Sequence, residues 1–133
     1  QGILTGGAAG TFLKPLDIDT PVTFEDFKEV GGTIGAGTVI VFDDSVDLRD
    51  TLTRIAEFFA HESCGKCYPC QIGTQRQAEI LHRLQEGHGQ PGDVDTLLEL
   101  AQVMTDTSIC GLGQAAGWAA VDAVKRWPDL LTH

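Results

Sequence analysis

The residues of this chain whose types and spacing carry chemistry are its four cysteines. Cys64, Cys67 and Cys70 form a C-x2-C-x2-C run within Glu62-Ser63-Cys64-Gly65-Lys66-Cys67-Tyr68-Pro69-Cys70, and Cys110 follows after 39 further residues, within Ser108-Ile109-Cys110-Gly111-Leu112-Gly113. Two residues between successive cysteines let one loop curl around a [4Fe-4S] cubane and present three sulfurs to three irons, while a distant cysteine closes the fourth. Zinc also accepts four cysteines, but its structural sites commonly use two separated C-x2-C knuckles around one ion. The spacing therefore favours an iron-sulfur cluster that transfers electrons. The alternative is a zinc-stapled, non-redox domain that binds a partner protein. Three cysteines within seven residues and no secretory signal argue against two disulfides and for a metal role in a reducing compartment. A nucleophilic cysteine would need a His-Asp partner, which the sequence does not offer.

The flanking residues suit a large anionic cofactor. Gly65, Gly111 and Gly113 permit tight backbone paths and close approach of amides to sulfur. Cys70 follows Pro69 at the expected start of a helix, where free N-H groups and the positive end of the helix dipole favour a more reduced cluster. Lys66 and Arg76 would add positive charge only if they are not simply solvated. His61 adjoins the run, but histidine ligation of the Rieske type uses two histidines on a two-iron cluster. His82, His88 and His133 have no ligand spacing and are expected at the surface.

The elements that must position these thiols change character along the chain. Up to about residue 45, Gly6-Gly7, Gly31-Gly32 and Gly35-Ala36-Gly37 punctuate short apolar runs, of which Thr38-Val39-Ile40-Val41-Phe42 is the best strand. None of these glycines belongs to a phosphate-binding pattern. Phe24, Phe27 and Val30 have helical spacing behind a Thr cap. Four helices are expected after Asp43. The first carries Leu48, Leu52, Ile55 and Phe59 behind a cap at Asp43, Asp44 or Ser45. The second runs from about Pro69 to Gln85, with Ile72, Ile80, Leu81 and Leu84. The third starts near Asp93 and uses Val94, Leu97, Leu98, Ala101 and Met104. The fourth uses Ala116, Ala120, Ala123 and Trp127 and ends at Pro128. The fold class is thus α+β, with a small strand-rich part over 1-45 followed by a helical bundle over 46-133.

The chain has 133 residues and 19 acidic against 9 basic side chains, a formal charge of -10. That field repels phosphate backbones and excludes nucleic acid as a natural partner. No run approaches the roughly 20 apolar residues a membrane span needs, so direct membrane insertion is not expected. The first residues, Gln1 followed by Gly2-Ile3-Leu4-Thr5-Gly6-Gly7, lack an initiator Met and a signal peptide, which leads us to expect a piece of a longer protein.

The cysteine segment resembles a known family, the NADH-binding flavoprotein subunit of respiratory complex I and its relatives in NAD-dependent formate dehydrogenases and NAD-reducing hydrogenases. Glu62 to Thr74 is similar to the family's E-S-C-G-K-C-x-P-C-R-x-G-T signature, and Cys110-Gly111-Leu112-Gly113-Gln114 resembles its fourth-ligand segment. Gly6 to Gly10, Leu16 to Pro21 and Gly35 to Val41 resemble its ubiquitin-like β-grasp module of the soluble-ligand-binding type. The resemblance implies that Cys64, Cys67, Cys70 and Cys110 hold the [4Fe-4S] cluster. It also implies that electrons pass between NAD(H), FMN and this cluster, with FMN and the nucleotide bound outside these residues. Other subunits of an NAD-linked redox complex, including a second iron-sulfur subunit, are the implied partners, and the cytoplasm, or the matrix or cytoplasmic face of a membrane complex, is the implied location. These residues alone are not expected to be catalytic. Two departures stand out: Gln71 replaces the usual Arg, and Ala116-Gly117-Trp118 replaces a segment that often contains Pro.

Overall fold

The computed structural model describes residues 1-132. Three short strands form an antiparallel sheet: β1 (Gly2-Thr5), β2 (Thr11-Leu13) and β3 (Val39-Phe42), in the order β2-β1-β3. Leu4 pairs with Phe12 on one side and with Ile40 on the other, so these three side chains share the face turned to the helices. Phe12, fully buried on that face, meets the Trp127 ring edge-on with centroids 5.5 Å apart. On the opposite face, α1 (Phe24-Glu29) is capped by the Thr23 hydroxyl, which accepts the Asp26 N-H at 3.1 Å. Phe27 of α1 is buried, whereas Phe24 is 74% exposed despite its helical spacing. One turn of free helix buries a single aromatic here, not two.

The remaining helices are α2 (Leu48-Glu62), α3 (Tyr68-Gln85), α4 (Asp93-Thr107), α5 (Gly111-Ala115) and α6 (Trp118-Arg126). The central α3 packs between α2 and α4. Leu52, Leu81, Leu97 and Met104 are almost wholly removed from solvent, each worth about 1.5-3 kcal/mol of burial. The expected periodicities hold for Leu48, Leu52 and Phe59, and for Leu97, Ala101 and Met104, all buried; Ile55, Val94 and Leu98 are half-buried. Ala119, Ala120 and Ala123 let α6 approach its neighbours closely.

Three local features differ from the sequence expectations. The cap of α2 is Asp47, whose carboxylate accepts the Arg49 N-H at 2.8 Å; Asp43 instead accepts the Ser45 N-H at 2.9 Å and closes the turn before the helix. Both carboxyls are thereby held below the usual carboxylate range, by the Ser45 side chain first for Asp43 and the Arg49 side chain first for Asp47. The expected last helix, from Ala116 to Trp127, is the shorter α6, with Ala116 and Trp127 just outside it, and it is preceded by a helix not expected from the sequence, α5, the two separated at Ala116-Gly117. The buried Gln77 amide stabilises that break by donating to the Ala116 carbonyl at 2.9 Å, a bond available only after α3 has packed there. Ile72, in the second turn of α3, is 51% exposed instead of lying in the core.

Candidate metal centre

All four cysteines are free thiols, and they differ in exposure: Cys64 and Cys110 are exposed, Cys67 is half-buried and Cys70 is buried. Local backbone chemistry explains each position. Gly65 takes φ +71°, a left-handed conformation that turns the loop sharply between Cys64 and Lys66. Cys67 is the extended N-cap residue of α3, with Pro69 in the first turn, where a missing N-H costs nothing. Cys70, three residues into α3, is therefore among the first main-chain groups of that helix, and its carbonyl is held by the Thr74 hydroxyl at 2.7 Å. Cys110 is likewise the extended N-cap residue of α5.

What brings the distant Cys110 segment to the Cys64-Cys70 loop is the contact of α5 with α3. A Cβ at Gly113 would lie 2.8 Å from the Cys70 Cβ and 2.4 Å from the Ser108 Oγ, so only glycine lets the two segments come this close. Helices α2 and α4 deliver the chain to the same place. Ser63 ends α2 with its N-H on the Phe59 carbonyl at 3.0 Å, and Ser108 ends α4 with its N-H on the Met104 carbonyl at 3.1 Å. The Ser63 hydroxyl sits 3.3 Å from the Cys70 Sγ. Gln71 lies over the loop, its Nε2 3.7 Å from where a Gly65 Cβ would stand.

Charged neighbours take little part. Arg76 is paired with Glu79 at 2.6 Å, and Lys66 is exposed. His61 and His82 are exposed beside Glu62 and Glu57, His88 is exposed beside Glu86, and His133 lies outside the described residues. Among the described residues, no three His, Cys, Asp or Glu side chains converge closely enough to hold one metal ion. A tetrahedral zinc needs four sulfurs at about 2.3 Å from a single point, whereas a cubane takes each sulfur on a different iron. Four unpaired thiols, a buried hydroxyl without a partner at Ser108 and two helices with cysteine at the N-cap position, its side chain free of any capping bond, fit the larger group. Sequence spacing revealed the thiols. It held no signal for the two serines, because a serine at a helix C-terminus is ordinary until the packing around it is known.

The chain is a member of the NADH-ubiquinone oxidoreductase-F iron-sulfur binding region family, a [4Fe-4S] family whose pattern matches residues 50-133. It is similar to an NADH-quinone oxidoreductase subunit of Rickettsia typhi, at 32% identity over 97% of this chain and 31% of that protein. It also resembles the HndC subunit of an NADP-reducing hydrogenase from Solidesulfovibrio fructosivorans, at 36% identity over 86% of this chain and 23% of that protein. Among solved structures, an NAD+-reducing [NiFe]-hydrogenase in its H2-reduced state matches with a TM-score of 0.86 and 32% identity, over 98% of this chain and 22% of that one. The chain thus spans less than a third of the length of these relatives. The first relative is a subunit of an NADH-quinone oxidoreductase and the second a subunit of an NADP-reducing hydrogenase, and the family to which this chain belongs is an iron-sulfur binding region. No helix among the described residues is long and apolar enough to cross a membrane.

Proposed function

We propose that Cys64, Cys67, Cys70 and Cys110 ligate one [4Fe-4S] cluster, and that the chain relays single electrons between FMN and NAD(H) chemistry elsewhere in a diaphorase subunit and a further iron-sulfur centre in a partner subunit. The cluster supplies a one-electron acceptor and donor. The residues of this chain hold it, supply N-H and O-H donors, and present it to partners. The observation that carries the reading is the seating of α5 on α3, which places the Cys110 segment against Cys70 through Gly113. The relay role is supported by Tyr68, Ile72 and Ile109, which are 77%, 51% and 76% exposed and flank the thiols with an apolar surface of the kind that docks a partner.

Residues 1-45 are best understood as a β-grasp-like module and 46-133 as a four-helix cluster-binding domain, with α5 as a short insert before the last helix. The reaction with nucleotide belongs to the parent enzyme, not to these residues alone. Its location would be the cytoplasm, or the matrix or cytoplasmic face of a membrane complex, with other subunits of the NAD-linked complex as partners. Anaerobic purification followed by iron and sulfide analysis tests the assignment: about four of each per chain, with visible absorbance that dithionite bleaches, is the expected result. Stoichiometric zinc without sulfide overturns it.

A further inference from the structure

The Ser108 side chain is buried at 7% exposure, and its Oγ has no hydrogen-bond partner among the described protein atoms. An unpaired buried hydroxyl costs about 1-3 kcal/mol, and buried polar groups are rarely left so. The other groups of the same residue are occupied: its N-H bonds the Met104 carbonyl and its carbonyl accepts Gln114 Nε2 at 3.1 Å. The free Oγ shares a confined space with Cys70. A Cβ on Gly113 would lie 2.4 Å from that oxygen and 2.8 Å from the Cys70 Cβ, so both border the same glycine. A second hydroxyl, that of Ser63, stands 3.3 Å from the Cys70 Sγ itself. Of the four cysteines, Cys70 alone is buried, so the two hydroxyls gather around the thiol least able to be solvated by water.

We infer that Ser63 and Ser108 are positioning residues that donate their hydroxyl hydrogens to the sulfur shell around Cys70, and so raise the reduction potential of the centre. The inference rests on Cys70 being a ligand. Reduction brings one electron and no proton to a sulfur-rich anionic group, so a fixed O-H donor stabilises the reduced form more than the oxidised form. Low local dielectric at Cys70 strengthens the effect. Ser108 then has the acceptor that its burial demands, and the two serines reach Cys70 from the ends of different helices, α4 and α2.

The test compares the intact protein, loaded with its cluster, with Ser108→Ala and Ser63→Ala. Potentiometric titration followed by electron paramagnetic resonance should show the equilibrium constant for reduction lowered about three- to tenfold in each variant, roughly 30-60 mV for a one-electron couple. Resonance Raman spectra of protein assembled in H2O and in D2O supply a second readout. The wild-type Fe-S stretching bands should shift with deuterium, and part of that sensitivity should be absent from each variant. Ser63→Ala, at a half-buried position, gives both readouts independently of whether Ser108→Ala assembles. Four sulfides per chain with unchanged potential and unchanged isotope shift in the variants overturn the inference alone. A wild-type protein with no sulfide overturns the ligand assignment and this inference together.

Discussion

Asp122 of α6 accepts the main-chain N-H of Phe12 of β2 at 2.6 Å, across 110 residues of sequence. The same carboxylate accepts Arg126 Nε at 3.0 Å, and Arg126 Nη2 donates to the Val30 carbonyl at 2.9 Å. One carboxylate and one guanidinium therefore join the sheet, the loop after α1 and the last helix. Asp122→Ala leaves the Phe12 N-H without its acceptor and is expected to cost about 1-3 kcal/mol. Denaturant unfolding followed by tryptophan fluorescence should report that loss, since Trp127, one of the two tryptophans, packs on Phe12. Iron content per folded chain should stay at the wild-type level, because this contact lies away from the thiols.

Gly113→Ala tests the joint between the two cysteine segments. Its methyl group would meet Cys70 Cβ and Ser108 Oγ well inside contact distance, and the Cys70 Cβ belongs to a buried helical residue with little room to retreat. Overpacking of this kind costs about 1-3 kcal/mol. The expected outcome is a lowered iron and sulfide content with near-native helicity by circular dichroism, since α5 is displaced while α2, α3 and α4 keep their own core.

Asp93 gives the chain a defined acid sensitivity. Its carboxyl is held below the ordinary value of 3.8 by the Arg83 guanidinium, with Nη2 at 2.6 Å, and then by the Gln90 N-H at 2.8 Å. A carboxyl whose folded pKa is depressed binds fewer protons folded than unfolded across that interval. Its stabilisation is therefore full above the unfolded value and lost as pH falls through the folded one. Asp93→Asn should be less stable than wild type near neutral pH. The gap between the two proteins, read by urea unfolding, should narrow below about pH 4.

Gln71→Arg restores the cation usual in the family at a position that overlies the Gly65 turn. On the proposed ligation, a positive charge here stands beside an anionic cluster and stabilises its reduced form. The potential should rise, by roughly 30-60 mV if the reduction equilibrium shifts three- to tenfold. A redox titration checks the sign directly.

The spacing of Cys64, Cys67, Cys70 and Cys110 was legible because it is written along the chain itself, and α3 and α4 were legible nearly to the residue because Pro69, Gly87 and Ser108 mark their ends locally. Other features were hidden for reasons that are all long-range. The break between α5 and α6 depends on Gln77 reaching Ala116 from another helix. Asp43 and Asp47 carry the same local capping signal, and only the packing of Leu48 selects between them. The central place of β1 requires a strand from beyond α1 to return beside it, which no short window of sequence reveals. The unequal burial of the four thiols, and the partnerless hydroxyl of Ser108, follow from the docking of α5 on α3 and have no signature in the spacing.

That docking also orders events in time. Cys64, Cys67 and Cys70 leave the ribosome on one loop, while Cys110 follows only after the whole of α4. On the proposed ligation, a nascent chain offers three corners of a cubane their sulfurs early and withholds the fourth until α4 has folded back along α3. Retention of the last iron then becomes a checkpoint on helix docking, and metal content in a preparation measures how much of the chain has completed its fold.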